Sequence, residues 1–235
     1  MSVVNISKIK QMETGGFGES LEERIFFTGP ASTVDSVRRV RLEARKAAAA
    51  LMRTAGARGT ESEAHCERTA VWSRRLAQDL GLSSDRVLDV ELGALLHDVG
   101  YAMVRDVDFH RPGPLPADDK IDLRRHCDLG AAILRDIPVL RRAVQLVQFH
   151  HEEFDGSGYP FGLAGLDIPI DARIFHLVDA YESLTHDRPH RARVSDSKAR
   201  DILEDAVGRS FDPLVHAAFA RIEPSAWKSL VGSFL

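Results

Sequence analysis

Apolar residues recur at helical spacing along most of this chain, and no stretch of useful length alternates apolar with polar. Ala70, Val71, Leu76, Ala77 and Leu80 fall on one face of a helix predicted over residues 64–80, and Gly81 stops it. Ser84 is the expected cap of the next helix, 85–99, which ends at Gly100. Upstream, Thr33 caps an Ala-rich run of strong helix formers over 34–54, closed by the breaker Gly56. Downstream, helices are expected at 120–137, 139–152, 171–185, 195–207 and 213–220. No internal repeat is visible. The pattern predicts an all-α domain, a bundle packed around one core.

Three segments interrupt it. Residues 101–119 carry Pro112, Gly113, Pro114 and Pro116 and read as a loop where an access flap would sit. A Gly-rich loop runs from 152 to Gly165. Residues 1–30, punctuated by Gly15, Gly16, Gly18, Gly29 and Pro30, read as an arm. That arm would dock through Ile25, Phe26 and Phe27, onto this domain's own core or onto a second copy in a homodimer. The domain organisation expected is therefore an arm (1–30), a helix and linker (31–62) and a main domain (63–235).

Composition narrows the classes. A chain of 235 residues suits one sizeable domain. A net charge of -4 argues against duplex nucleic acid as partner. No apolar run approaches a membrane span, and the first ten residues lack the apolar core of a signal peptide. Two cysteines, Cys66 and Cys127, suit a reducing compartment, so a cytoplasmic protein without membrane attachment is expected. Each follows a histidine, and both read as buried small apolar residues.

The chemistry lies in the placement of histidines and aspartates. His65 begins one predicted helix, the His97–Asp98 doublet ends the next, and His126 falls in a third. The His150–His151 doublet ends a fourth, and Asp179 lies in a fifth. Seven such side chains on five helices converge only in a bundle, which is how bundles build metal sites. Imidazole with carboxylate and no thiolate favours iron, manganese or zinc. Seven ligands exceed one tetrahedral zinc and suit two octahedral ions sharing a carboxylate, with Asp98, beside another ligand, as the natural bridge. Two ions some 3.5–4 Å apart are a recurring device for phosphate ester hydrolysis. His110, His176, His186, His190 and His216 read as ordinary core or surface residues, although His176, one turn before Asp179, could support it.

With these residues on the page, the chain resembles the HD-GYP family, a branch of the HD superfamily of metal-dependent phosphohydrolases. The likeness covers roughly residues 63–214. It includes His65, His97-Asp98-Val99-Gly100, His126 with Gly130 and Leu134, and His150-His151-Glu152. It continues through Asp155-Gly156-Ser157-Gly158-Tyr159-Pro160, Asp179-Ala180-Tyr181, Arg188-Pro189, Arg191 and Phe211-Asp212-Pro213. The resemblance implies an HD-type helical bundle around a binuclear site. It implies a bacterial phosphodiesterase that opens cyclic di-GMP or a related cyclic dinucleotide through a metal-bridging hydroxide. The implied cofactors are two divalent ions, iron or manganese. By the same likeness His65, His97, Asp98 and Asp179 hold one ion, and Asp98, His126, His150 and His151 the other. Gly158, Tyr159 and Pro160 shape the loop lining the site, and Arg188 and Arg191 reach phosphate or guanine.

Three positions depart from the family pattern. Tyr101 stands where lysine is usual, so the position offers a hydrogen bond but no charge to the scissile phosphate. Losing such a group costs about 2.7–4 kcal/mol at a transition state, a hundred- to a thousand-fold in rate. Ala117-Asp118-Asp119 stands where some members place a third-metal glutamate, which favours two ions. His190 replaces a tyrosine but keeps a flat ring. The change at Tyr101 opens one alternative, and the range of substrates in the wider HD superfamily opens another. One is a catalytically weakened receptor or adaptor that binds a cyclic dinucleotide, a diguanylate cyclase or another signalling protein. The other is a hydrolase of a different phosphate ester.

Overall fold

A computed structural model describes residues 42–52, 63–104, 116–188 and 191–232. The arm with Ile25, Phe26 and Phe27, the core of the proline-rich loop, Pro189 and His190 lie outside the described residues. Chain contacts separate Met1–Glu43 from a body formed by Ala44–Leu235. Of the first unit only the last two residues are described, at the start of a helix.

The described residues are helical and contain no β-strand, as the spacing predicts. Helix α1 covers residues 42–52, α2 Glu63–Asp79 and α3 Ser84–Leu96. A 3₁₀ turn at Val99–Met103 leads on to α4 (Ala117–Arg124) and α5 (His126–Arg135). A second 3₁₀ turn at Pro138–Leu140 precedes α6 (Ala143–Phe149), and a third at Gly165–Asp167 precedes α7 (Ile170–Thr185). The chain closes with α8 (Asp196–Asp205), α9 (Pro213–Ala220) and α10 (Pro224–Gly232).

Helices α2, α3, α6 and α7 enclose the core. Leu76, Leu92, Leu95, Leu96, Leu146, Ile174, Phe175 and Leu177 are fully buried. Burial at that level contributes roughly 1.5–3 kcal/mol per large side chain. One end of the bundle is closed by aromatic rings: Trp72 packs on Tyr181 and Trp227, and Phe219 on both of these. The Trp72 indole donates to the Trp227 carbonyl at 3.1 Å, so its one polar atom is satisfied inside the cluster.

Several boundaries differ from the sequence expectation, each for a local reason. Ser83, not Ser84, caps α3: its hydroxyl accepts from the Arg86 amide. That helix stops at Leu96 rather than Val99, and Tyr101 sits in the 3₁₀ turn rather than in a loop. The helix expected at 120–137 starts earlier and breaks at Arg125. There the His126 ring takes the Leu123 carbonyl that the next amide in a continuous helix would use. The helix expected at 139–152 is a 3₁₀ turn opened by Pro138 followed by a shorter α6. Helix α10 has no counterpart in the sequence expectation.

Gly100 explains how the 3₁₀ turn meets α5. A Cβ at Gly100 would lie 1.9 Å from the His126 carbonyl oxygen and 2.6 Å from the Gly130 amide nitrogen. Only glycine lets the backbone after the His97–Asp98 doublet approach the backbone that carries His126.

Candidate metal centre

The seven predicted ligands sit at helix ends or on facing turns. His65 lies in the first turn of α2, His97 caps the C-terminus of α3, and Asp98 follows it. His126 opens α5, His150 caps the C-terminus of α6 with His151 next, and Asp179 lies within α7. His65, His97, Asp98, His126 and His150 are buried, while His151 and Asp179 are half-buried.

Three of the histidines are anchored in the same way. The Nδ1–H of His97 donates to the Ala94 carbonyl at 2.9 Å. That of His126 donates to Leu123 at 2.7 Å and that of His150 to Val147 at 2.8 Å. A carbonyl can only accept, so in the neutral ring each bond fixes the tautomer and leaves Nε2 as a lone-pair donor aimed inward. His65 is held differently: its Nδ1 donates to the buried Glu182 carboxylate at 2.6 Å, and its Nε2 lies 3.3 Å from Asp179. Glu182 also accepts from Arg68, at 2.8 Å from its Nε.

The ligand atoms form two groups. Those of His65, His97 and Asp179 lie within 4.8 Å of one another, and so do those of His126, Cys127, His150 and His151. Asp98 stands between them. Its carboxylate lies 3.3 Å from His97 Nε2, 3.5 Å from His126 Nε2 and 3.9 Å from His150 Nε2. That is the position a bridging carboxylate requires.

The electrostatics match divalent cations. Burial lowers the pKa values of His126 and His150, and drives that of His151 down to about 3, so these rings are neutral. Burial also disfavours the charged form of His97, but the Asp98 carboxylate outweighs it and raises the pKa to about 9. Burial would raise the pKa of Asp98, yet the charge and hydrogen bond of His97 hold it below the ordinary carboxylate range. The Nε2 atoms of His126 and His150 stand 3.2 Å apart. With both Nδ1 atoms already donating, two lone pairs face each other, an arrangement that a cation between them stabilises. The residues present therefore fit divalent metal ions.

The loop after α6 folds onto this cluster. The buried Glu152 carboxylate accepts from the Phe161 and Leu163 amides at 2.8 and 3.0 Å, and the Tyr159 amide returns to the His151 carbonyl at 3.1 Å. A Cβ on Gly158 would stand 2.2 Å from the Glu153 amide nitrogen, so that turn admits no side chain. The Tyr159–Pro160 bond is cis. The Tyr159 ring stacks on His151 at 4.7 Å, with the Arg124 guanidinium 4.8 Å above its centroid. Tyr101 stacks on His126 at 4.3 Å, nearly parallel.

Not every predicted residue is placed alike. Arg188 reaches the edge of the first group, 3.7 Å from Glu182, whereas the Arg191 guanidinium is bound to the Ser183 carbonyl. Arg188 and Arg191 pair through their backbones. His176 donates to the backbone carbonyl of His150 at 3.0 Å, behind the second group. Asp118 and Asp119, in the first turn of α4, belong to neither group. Two contributors escaped the sequence reading. Glu182 was signalled only by its spacing, three residues after Asp179 on one helix face. Cys127 is buried as expected, but its sulfur lies 3.6 Å from His126 Nε2, inside the cluster.

Among the described residues no helix is long and apolar enough to cross a membrane. The model of the HD domain family matches residues 42–215. A 3'3'-cGAMP-specific phosphodiesterase 2 of Vibrio cholerae is 35% identical over 159 residues, which is 67% of this chain and 30% of that protein. A cyclic di-GMP phosphodiesterase of Thermotoga maritima is 31% identical over 168 residues, 71% of this chain and 46% of that one. The chain thus spans less than half the length of these two relatives. A solved cyclic GMP-AMP specific phosphodiesterase of V. cholerae shares the fold, with a TM-score of 0.59 at 19% identity over 77% of this chain and 48% of that one. HD-domain phosphohydrolases are metal-dependent, and the two ligand groups described above are the candidate sites. From the match over most of its length and the order of its His and Asp motifs, the chain belongs to the HD domain family, in its HD-GYP branch.

Proposed function

We propose that this chain hydrolyses a phosphodiester bond of a cyclic dinucleotide, cyclic di-GMP or cyclic GMP-AMP. The observation that carries the reading is the pair of imidazole–carboxylate groups meeting at Asp98. His65, His97, Asp98 and Asp179 would hold one divalent ion, and Asp98, His126, His150 and His151 the other, iron or manganese. When bound, such a pair acidifies water and neutralises charge that builds on the phosphoryl oxygens.

The chain's own groups set the conditions for that chemistry. Asp98 keeps its negative charge in the interior because the charged His97 ring faces it. The carbonyl anchors on His97, His126 and His150 hold three Nε2 atoms in place before any ligand arrives, so little ordering remains to be done. Phe175, packed on His97 at 4.7 Å and on His150 at 5.7 Å, keeps water from the rear of the cluster. Tyr159 and Arg124 offer a flat face and a positive charge beside His151, suited to a base and a phosphate. Arg188 is the second guanidinium at the rim.

The test is anaerobic incubation of ferrous- or manganese-loaded protein with each cyclic dinucleotide, separating linear and mononucleotide products. Metal-loaded protein that leaves both substrates intact over hours would sink the proposal. The Tyr101 ring lying flat on His126 favours one second reading, a receptor that binds the cyclic dinucleotide without turning it over. Binding without product in the same incubation supports that reading.

A further inference from the structure

Arg124 is the last residue of α4, two positions before His126, and it is exposed. Its guanidinium carbon lies 4.8 Å from the centroid of the Tyr159 ring. Tyr159 stacks on His151 at 4.7 Å, and His151 meets the His126 ring edge-on at 5.2 Å. Burial falls along this series: His126 is buried, His151 and Tyr159 are half-buried, and Arg124 is exposed. The stack leads outward from the second ligand group and ends in a cation.

Only the face of that guanidinium is engaged by the ring. Its N–H donors lie in the plane, at the edge. Among the described residues none of them has a hydrogen bond or an ion pair. The carboxylates nearest in sequence have other partners: Asp122 pairs with Arg125 at 3.4 Å, and Asp128 accepts from the Gln148 amide at 3.0 Å. The shelf under Arg124 is fixed. The Tyr159 amide is bonded to the His151 carbonyl, and Glu152 ties down the amides of Phe161 and Leu163 beyond it. A plainer account makes Arg124 a surface arginine resting on an aromatic ring. That explains the contact but not its place, since the ring is the one stacked on an imidazole of the ligand group. The other guanidinium at the rim, Arg188, already faces the Glu182 carboxylate at 3.7 Å.

A cyclic dinucleotide carries two phosphodiesters, and the centre at Asp98 can take one of them. The other remains an anion that must be met further out. We propose that Arg124 is a specificity-determining residue whose free guanidinium edge holds the phosphodiester that is not cut. It selects substrates with two linked phosphates over those with one. This rests on the reading of the site as a cyclic dinucleotide hydrolase, and it adds how that class is recognised. The contact is the same before and during bond cleavage, so it acts on binding rather than on turnover.

Steady-state kinetics on the manganese-loaded full chain test this with cyclic di-GMP and with bis(p-nitrophenyl) phosphate, which has a single phosphodiester. Arg124→Ala should raise KM for cyclic di-GMP about ten- to a hundredfold and leave kcat nearly unchanged. Its constants for bis(p-nitrophenyl) phosphate should stay within about twofold of wild type. Arg124→Lys keeps the charge without the fork and should recover part of the loss. Arg125→Ala, which removes a neighbouring charge, should behave as wild type, and circular dichroism checks that each variant folds. An unchanged KM for cyclic di-GMP in Arg124→Ala overturns the assignment, as does an equal loss on both substrates. Calorimetry with cyclic di-GMP on the same proteins separates this inference from the proposed function. Dinucleotide that is bound but never cleaved, and bound about tenfold more weakly by Arg124→Ala, sinks the function and leaves the inference standing. Cleavage that ignores Arg124 does the reverse, and neither binding nor cleavage sinks both.

Discussion

Glu182 is where stability and metal binding meet, and Glu182→Gln separates them. The carboxylate is 1% exposed and accepts from His65 Nδ1 at 2.6 Å and from Arg68 Nε at 2.8 Å. Burial alone would raise its pKa, but the His65 hydrogen bond and the Arg68 guanidinium outweigh this and bring it from 4.5 down to about 2. The folded state therefore binds the proton more weakly than the unfolded chain. The stabilisation is fully present above the unfolded pKa and is lost as pH falls through the folded one. A shift of that size corresponds to about 3 kcal/mol at pH 7, falling to about 1 kcal/mol at pH 3. Glutamine keeps an acceptor for His65 but removes the charge, so the metal-free variant should be weaker than wild type by about these amounts. Urea unfolding of both proteins at the two pH values reads the difference. A carboxylate behind a ligating imidazole also supports metal affinity, and its loss should weaken retention about 10–100-fold. The same stability gap at pH 7 and pH 3 would refute the assignment of Glu182 as a buried charge, whatever happened to the metal.

Three further outcomes follow from named contacts. Asp89 is buried, its Oδ2 lacks a hydrogen-bond partner, and burial raises its pKa to about 7, so folding favours its protonated form and stability falls as pH rises from about 4 through 7. Asp89→Asn should thus gain roughly 4 kcal/mol over wild type at pH 8 and almost nothing at pH 4, measured by urea midpoints. Gly100→Ala would drive a methyl into the His126 carbonyl and should destabilise the metal-free protein by about 3 kcal/mol or more, read by the same unfolding assay. Tyr101→Lys places a charge beside the ligand groups and should raise kcat for cyclic di-GMP by about a hundred- to a thousand-fold; no gain in steady-state assays would show that the position does not face the scissile phosphate.

Much of the candidate site was legible because its imidazoles and carboxylates come in patterns that few other roles require. The His97–Asp98 and His150–His151 doublets stand at helix ends, where side chains can bend back on free carbonyls, and the structure uses those carbonyls as anchors. The helical spacing also carried the course of α2, α7 and α9, whose apolar faces are continuous. What escaped was set by tertiary contact. The break at Arg125 depends on where the His126 ring points, and Trp227 is buried by partners far away in sequence. Glu182 carries no signal that it is buried, since a glutamate in a helix is ordinarily solvated.

The two cysteines show the same limit most sharply. Both follow a histidine, and neighbours on a helix point about 100° apart, so adjacency alone says nothing about shared ligation. His65 turns its Nδ1 toward Glu182 on α7, and Cys66 belongs to neither ligand group. His126 instead folds back onto the last turn of α4 to reach Leu123, and its Nε2 comes to rest beside the Cys127 sulfur. One doublet thus sets an imidazole beside a core residue, and the other brings an imidazole nitrogen and a sulfur to one point. The difference lies in the acceptor each imidazole finds, a distant carboxylate or a local carbonyl.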